Sequence, residues 1–94
     1  MKKILTPKIS EILEAEFMIP LNLSADTLAK NSHLSLATVQ AILNDHQPIT
    51  PDIANKLGRF FGVSDRYFMN LQIDIDFRNT ARKIDDDQIR RYQS

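Results

Sequence analysis

The chain has 94 residues, of which 43% are hydrophobic and 26% charged, ordinary usage for one small globular domain. Twelve Lys plus Arg balance twelve Asp plus Glu, which excludes a uniformly basic nucleic-acid coat but not a local basic patch. Cysteine is absent, which excludes disulfides, Cys-ligated zinc and thiol catalysis.

No apolar run approaches the roughly 18 residues that cross a bilayer. Lys2-Lys3-Ile4-Leu5 is broken at once by Thr6-Pro7-Lys8, unlike the apolar stretch of a signal peptide. A soluble, cytoplasmic protein is expected.

The elements follow in order. Thr6-Pro7 opens a first helix, with Thr6 as cap and Pro7 at the first helical position. Ile9, Ile12, Leu13 and Phe17 form its apolar face, and Pro20 and Asn22 end it. Ser24 caps a short second helix with Leu28 and Ala29 inward, broken at Asn31-Ser32-His33. Ser35 caps a third helix that runs to about Asn44, with Val39, Ile42 and Leu43 inward and Ala37, Thr38, Gln40 and Ala41 outward. Asp45-His46-Gln47-Pro48 is a loop. Thr50-Pro51 repeats the cap-plus-proline signal and starts a fourth helix, with Ile53, Ala54, Leu57, Phe60 and Phe61 inward and Gly62 as its stop. Ser64 caps a fifth, striped by Tyr67, Phe68, Leu71 and Ile75. The pattern weakens from about Phe77, and the stretch from Lys83 to Ser94 is polar. The reading is all-α, with five helices over residues 1–78 and a charged C-terminal tail over 79–94.

Residues 24–44 have the layout of a helix-turn-helix, two short helices set steeply by a tight turn. Ala29 is small where the two helices cross, Leu34 anchors the turn, and Val39 and Ile42 pin the second helix. Its opposite face is then free to enter a DNA major groove. A plain helical hairpin within a bundle has the same spacing.

Wider blocks carry a resemblance. They are Thr6-Pro7, Glu11-Ile12-Leu13, Phe17 to Ser24, Leu28-Ala29-Lys30, Ile42-Leu43-Asn44, Ile49-Thr50 and Phe60-Phe61-Gly62-Val63-Ser64. Phe68-Met69-Asn70-Leu71-Gln72 with Asp74-Ile75-Asp76 is similar to a W-L-N-L-Q…Y-D-L signature, with Phe and Met in place of Trp and Leu. Over residues 6 to 78 the chain resembles the HigA-type antitoxins of the repressor-like (XRE) helix-turn-helix superfamily. The resemblance implies a lambda-repressor-like, all-helical antitoxin without enzymatic activity. It would neutralise a HigB-like, mRNA-cleaving toxin and, as a homodimer, bind operator DNA to repress its own promoter. It implies no cofactor, metal, membrane or small-molecule substrate. Two alternatives stand beside it: a helix-turn-helix regulator without a toxin, and a protein-binding module whose DNA face has decayed.

On that resemblance the DNA-facing residues are Ser24, Lys30, Ser35, Leu36, Ala37, Thr38, Gln40, Ala41, Asn44 and His46. Gln40 is the best direct reader, since its amide donates and accepts at an adenine edge. Thr38 offers a hydroxyl and a methyl, while Leu36, Ala37 and Ala41 make only apolar contact. Ser24, Ser35 and Thr50 cap helices whose N-termini suit phosphate.

Three departures from the family pattern bear on this surface. His33 stands where Gly is common at a positive-φ turn, Ser32 stands where an apolar residue is usual, and Asp45-His46-Gln47 replaces Gly followed by basic residues. Between Ser24 and Thr50 the only basic side chain is Lys30, against Asp26 and Asp45, so weak non-specific DNA affinity is expected. Lys56, Arg59, Arg78, Arg82, Lys83, Arg90 and Arg91 are the available helpers.

Tyr67, Phe68, Leu71 and Ile75 suit either a dimer seam or the core, and Phe77 and Ile84 gain most from a second chain. His33 and His46 lack a third ligand or nucleophile for metal or catalytic work. Asp85-Asp86-Asp87 lacks the Gly turn and closing Glu of a calcium loop. Glu11, Glu14 and Glu16 read as an exposed acidic face of the first helix.

Overall fold

The computed structural model describes residues 7–83, within which five α-helices follow one another without a strand. They are α1 (Ile9–Ile12), α2 (Ala25–Ser32), α3 (Leu36–Leu43), α4 (Pro51–Phe61) and α5 (Tyr67–Lys83), with a π-helical segment, Leu13–Met18, continuing α1.

The start of α1 differs from the sequence expectation. Its N-cap is Lys8, and Pro7 precedes the cap instead of occupying the first helical position. Thr6 lies outside the described residues. The cause is Glu11, whose Oε1 accepts the Lys8 backbone N–H at 2.9 Å. A carboxylate three residues into a helix satisfies the cap's own donor, and this fixes the start without a hydroxyl.

Past Ile12 the helix widens, and the Ile19 N–H reaches the Glu14 carbonyl at 2.8 Å, an i→i+5 bond. The wider turn lets Leu13 and Met18 both face the core, at 1% and 6% exposure. Phe17, half-buried between them, stacks its ring 4.7 Å from Phe61 and 5.2 Å from Phe68. These contacts tie the first helical segment to α4 and α5.

Four helical segments end in one device. Asn22, His33, Asp45 and Gly62 adopt left-handed backbone, with φ of 54°, 61°, 61° and 73°. The residue after each donates back five positions: Leu23 to Met18, Leu34 to Ala29, His46 to Ala41 and Val63 to Gly58, at 2.8–3.0 Å. This is the Schellman closure of orphan carbonyls. Three of its four sites use a residue other than glycine, so a chain with two glycines still ends its helices sharply. The other glycine, Gly58, serves close packing: a Cβ there would meet the Ser64 carbonyl oxygen at 2.9 Å.

The hydroxyl caps stand where the sequence places them. Ser24 accepts from the Thr27 N–H at 3.1 Å, Ser35 from the Thr38 N–H at 3.0 Å, and Thr50 from the Ile53 N–H at 3.3 Å. Pro51 follows Thr50 as the first residue of α4. Ser64, expected as the cap of the fifth helix, differs: it accepts from the Arg66 N–H at 3.1 Å in a turn, and α5 begins only at Tyr67.

The core sits where the helices converge. Leu28, Val39, Ala54 and Leu57 are 0% exposed, and Ile42 and Phe68 1%. Burying such aliphatic side chains contributes about 1.5–3 kcal/mol each. Phe68 and Ile75 therefore belong to the core, and Tyr67 and Leu71 pack against it half-buried. The large apolar side chains left exposed on α5 are Ile73 and Phe77, at 56% and 76%.

α5 also continues past residue 78, where the sequence pattern weakens, to Lys83. No Gly or Pro interrupts that stretch, and Arg78 pairs with Asp74 at 3.2 Å across one turn. Residues 84–94, with Ile84, Asp85-Asp86-Asp87, Arg90 and Arg91, lie outside the described residues, as do the side chains of Arg82 and Lys83.

Candidate nucleic-acid interface

The turn between α2 and α3 is built from residues with little freedom to move. Ala29 is 4% exposed where the helices cross, and Leu34 packs half-buried against the core. Ser32, in a position that suits an apolar side chain, is 3% exposed and donates its hydroxyl to the Leu28 carbonyl at 2.6 Å. A buried hydroxyl with a partner is tolerated, and none of the buried side-chain polar atoms among the described residues lacks one. His33 then takes the left-handed position that reverses the chain.

α3 is held from behind by Val39 and Ile42. Its front presents Leu36, Ala37 and Gln40 exposed, with Thr38 and Ala41 half-buried at the margins. Positions 36, 37, 40, 41 and 44 fall on one helical stripe. Leu36 is 39% exposed in the first turn, and Asn44 caps the helix exposed. His46 is exposed two residues beyond, its N–H closing α3 onto Ala41.

The two helices open alike. Ser24 donates its hydroxyl to Thr27 Oγ1 at 3.0 Å, and Ser35 to Thr38 Oγ1 at 2.8 Å. Each threonine keeps a hydroxyl proton to give outward. Thr27 was not singled out in the sequence, although the repeated Ser-x-x-Thr at 24–27 and 35–38 marks it as the partner of Thr38.

Lys30 is exposed in the last turn of α2. Lys56, Arg59 and Arg78 each stand beside a carboxylate: Lys56 with Asp52 at 3.1 Å, Arg59 with Asp65 at 3.9 Å, and Arg78 with Asp74 at 3.2 Å. Lys56 and Arg59 also line an open groove of about 370 Å³ with Asn31, Ser32, His33 and Phe60. Among the described residues no cluster of three or more His, Cys, Asp or Glu is placed to hold a metal, and no helix is long and apolar enough to cross a membrane.

The signature block reaches the loop between α3 and α4. Gln72 Oε1 accepts the backbone N–H of Ile49 at 2.8 Å, and Gln72 Nε2 donates to Asp76 at 2.9 Å. Ile49 is 3% exposed, so its backbone has few alternatives. α5 thus fixes the end of the loop between α3 and α4.

The sequence profile of the helix-turn-helix family matches residues 15–68, from the π-helical segment into α5. The chain belongs to the helix-turn-helix family. It is 37% identical over 68 residues to virulence-associated protein I of Dichelobacter nodosus, a match covering 72% of this chain. The match spans less than two thirds, 63%, of that curated relative's length. Its fold is similar to the Pseudomonas aeruginosa antitoxin HigA solved with the higBA promoter, with a TM-score of 0.79 and 30% identity over 84% of this chain and 86% of that one. It is also similar to an addiction module antidote protein of the HigA family from Coxiella burnetii, with a TM-score of 0.81 and 31% identity over 95% of this chain and 100% of that one. Among its structural neighbours are thus HigA-type antitoxins, one of them solved on promoter DNA. The matched region takes in the whole helix-turn-helix and the Ile49 anchor that Gln72 holds.

Proposed function

We propose that this helix-turn-helix protein is an antitoxin. It binds and neutralises an mRNA-cleaving, HigB-like toxin, and as a homodimer it binds operator DNA and represses its own promoter. The observation that carries the DNA half is the outer face of α3. Gln40 stands exposed there while Val39 and Ile42 anchor the helix in the core. On this reading Gln40, Leu36, Ala37, Thr38, Ala41 and Asn44 face the groove. Ser24, Ser35, Lys30 and His46 meet the backbone, and Thr27 joins them. The likeness to HigA on its promoter supports this placement.

The antitoxin half is supported by the likeness to the addiction module antidote protein. Dimerisation is supported by Ile73 and Phe77, which stand exposed four residues apart on α5. One short recognition helix gives limited affinity, and a two-fold dimer reads two half-sites about 34 Å apart.

The test of the antitoxin half is mRNA cleavage by the cognate toxin, measured with and without this chain. Stoichiometric suppression of cleavage is expected. Undiminished cleavage in the presence of folded chain would remove the antitoxin reading. The scarcity of cations around α3 favours one second reading, a protein-binding module without DNA affinity. Gln40→Ala separates the two, since a repressor loses operator binding and keeps its toxin, whereas the module has no operator binding to lose.

A further inference from the structure

We infer that the recognition surface reads thymine methyl groups around a central adenine, so that its half-sites are rich in A·T pairs. This rests on the DNA-binding reading above and goes beyond it to the chemistry of the operator.

The side chains that single out G·C pairs in a major groove are charged, whereas Ser and Thr hydroxyls bond either pair. Arg and Lys bond the O6 and N7 of guanine, and Glu and Asp accept from the N4 of cytosine. α3, Leu36–Leu43, contains none of the four. Its exposed face offers a carboxamide at Gln40, a second at the Asn44 cap, and apolar groups at Leu36 and Ala37, with Thr38 and Ala41 half-buried at the margins. A carboxamide matches the N6 and N7 of adenine, and an apolar side chain matches the C5 methyl of thymine.

Leu36 sharpens the argument. A leucine in the first turn of a short helix, 39% exposed and beside a polar capping pair, offers apolar surface that an apolar partner would cover. In a groove the apolar group on offer is the thymine methyl. Leu36, Gln40 and Asn44 lie four residues apart along one stripe. The stripe is about 12 Å long at 1.5 Å per residue, enough to face roughly four base pairs. Gln40 falls at its middle, with Leu36 and Ala37 on one side and Ala41 beside it.

The nearby charge agrees. With Lys30 the only basic side chain between residues 24 and 50, phosphate attraction is weak, so base-edge and methyl contacts carry a larger share of specific affinity.

The test selects duplexes with the purified full chain from a library randomised over about two helical turns. The selected duplex is then remade with deoxyuridine for thymine, which removes only the methyl group. The expected half-site centres on A·T pairs. Uracil is expected to weaken binding about fourfold for each methyl lost. Leu36→Ala is expected to remove part of that sensitivity. Gln40→Ala is expected to erase a preference of about 5- to 150-fold for adenine at one position. Both substitutions fall at exposed helical sites that alanine suits, so folding is retained and checked by circular dichroism. G·C-centred half-sites, or equal affinity for the uracil duplex, would overturn the inference while leaving DNA binding in place. Failure to select any sequence would overturn the DNA-binding reading itself, and this inference with it.

Discussion

Ser10 donates its hydroxyl to the Asp45 carboxylate at 2.9 Å, joining positions 35 residues apart. Ser10 is 6% exposed on α1, and Asp45 is the left-handed residue that closes α3. The bond thus fixes the exit of α3 to α1. It also explains why an acidic residue stands near a surface that would meet phosphate: the carboxylate is a structural acceptor.

Asp45→Gly removes that bond and a negative charge together, but supplies a residue at ease with positive φ. Losing this bond to a charged group costs about 1.5–3 kcal/mol, and relief of the left-handed backbone returns about 1–2 kcal/mol. Stability in urea is therefore expected to lie between a gain of about 0.5 and a loss of about 2 kcal/mol. DNA affinity is expected to rise, most at low salt where screening is weakest. Asp45→Ala, which loses the bond and keeps the strain, is expected to be clearly destabilised.

His33→Gly is expected to stabilise the fold by up to about 1 kcal/mol, because glycine adopts φ of 61° without the Cβ clash. His33→Val is expected to destabilise it by more than that, since a β-branched residue is least suited to this region. Thermal unfolding of the two variants checks the pair.

Gln72→Ala leaves the Ile49 N–H without its acceptor in a part-buried loop. A loss of about 1–3 kcal/mol is expected in chemical denaturation. Because that loop follows α3, operator affinity is expected to fall further than the stability loss alone accounts for.

The caps and the inward and outward faces of α3 were legible in the sequence because single residues decide them. Ser24, Ser35 and Thr50 are hydroxyl residues before apolar-periodic runs, and the hydrogen bonds stand there. Val39 and Ile42 point inward with Gln40 opposite, as spacing dictates. The π-helical turn was not legible, because Leu13, Phe17 and Met18 suit an ordinary helix equally well and only the i→i+5 bond separates the two. Thr6-Pro7 misled because the hydroxyl-proline pair outweighs a carboxylate three residues after Lys8. Asp45 and Gln72 were hidden for a different reason: their partners, Ser10 and Ile49, are far away in the chain.

The face of α5 that periodicity marks as apolar is spent on the core at Phe68 and Ile75. Ile73 and Phe77 are the exposed pair. If they form the dimer seam, Phe77→Ser is expected to shift sedimentation toward monomer and to weaken binding to a two-half-site operator at least tenfold, an effect of about 1.4 kcal/mol. Binding of the toxin is expected to survive that change.

On the proposed function this chain recognises operator DNA through α3. The direct measurement is titration of the purified protein against the DNA upstream of its own gene across a salt series, with an unrelated duplex as control, and repeated with the toxin present. Selective binding, a shallow salt dependence in keeping with the lone Lys30 of the motif, and loss of selectivity in Gln40→Ala are predicted. Equal binding to both duplexes, or none to either with and without the toxin, from protein shown to be folded, would contradict it.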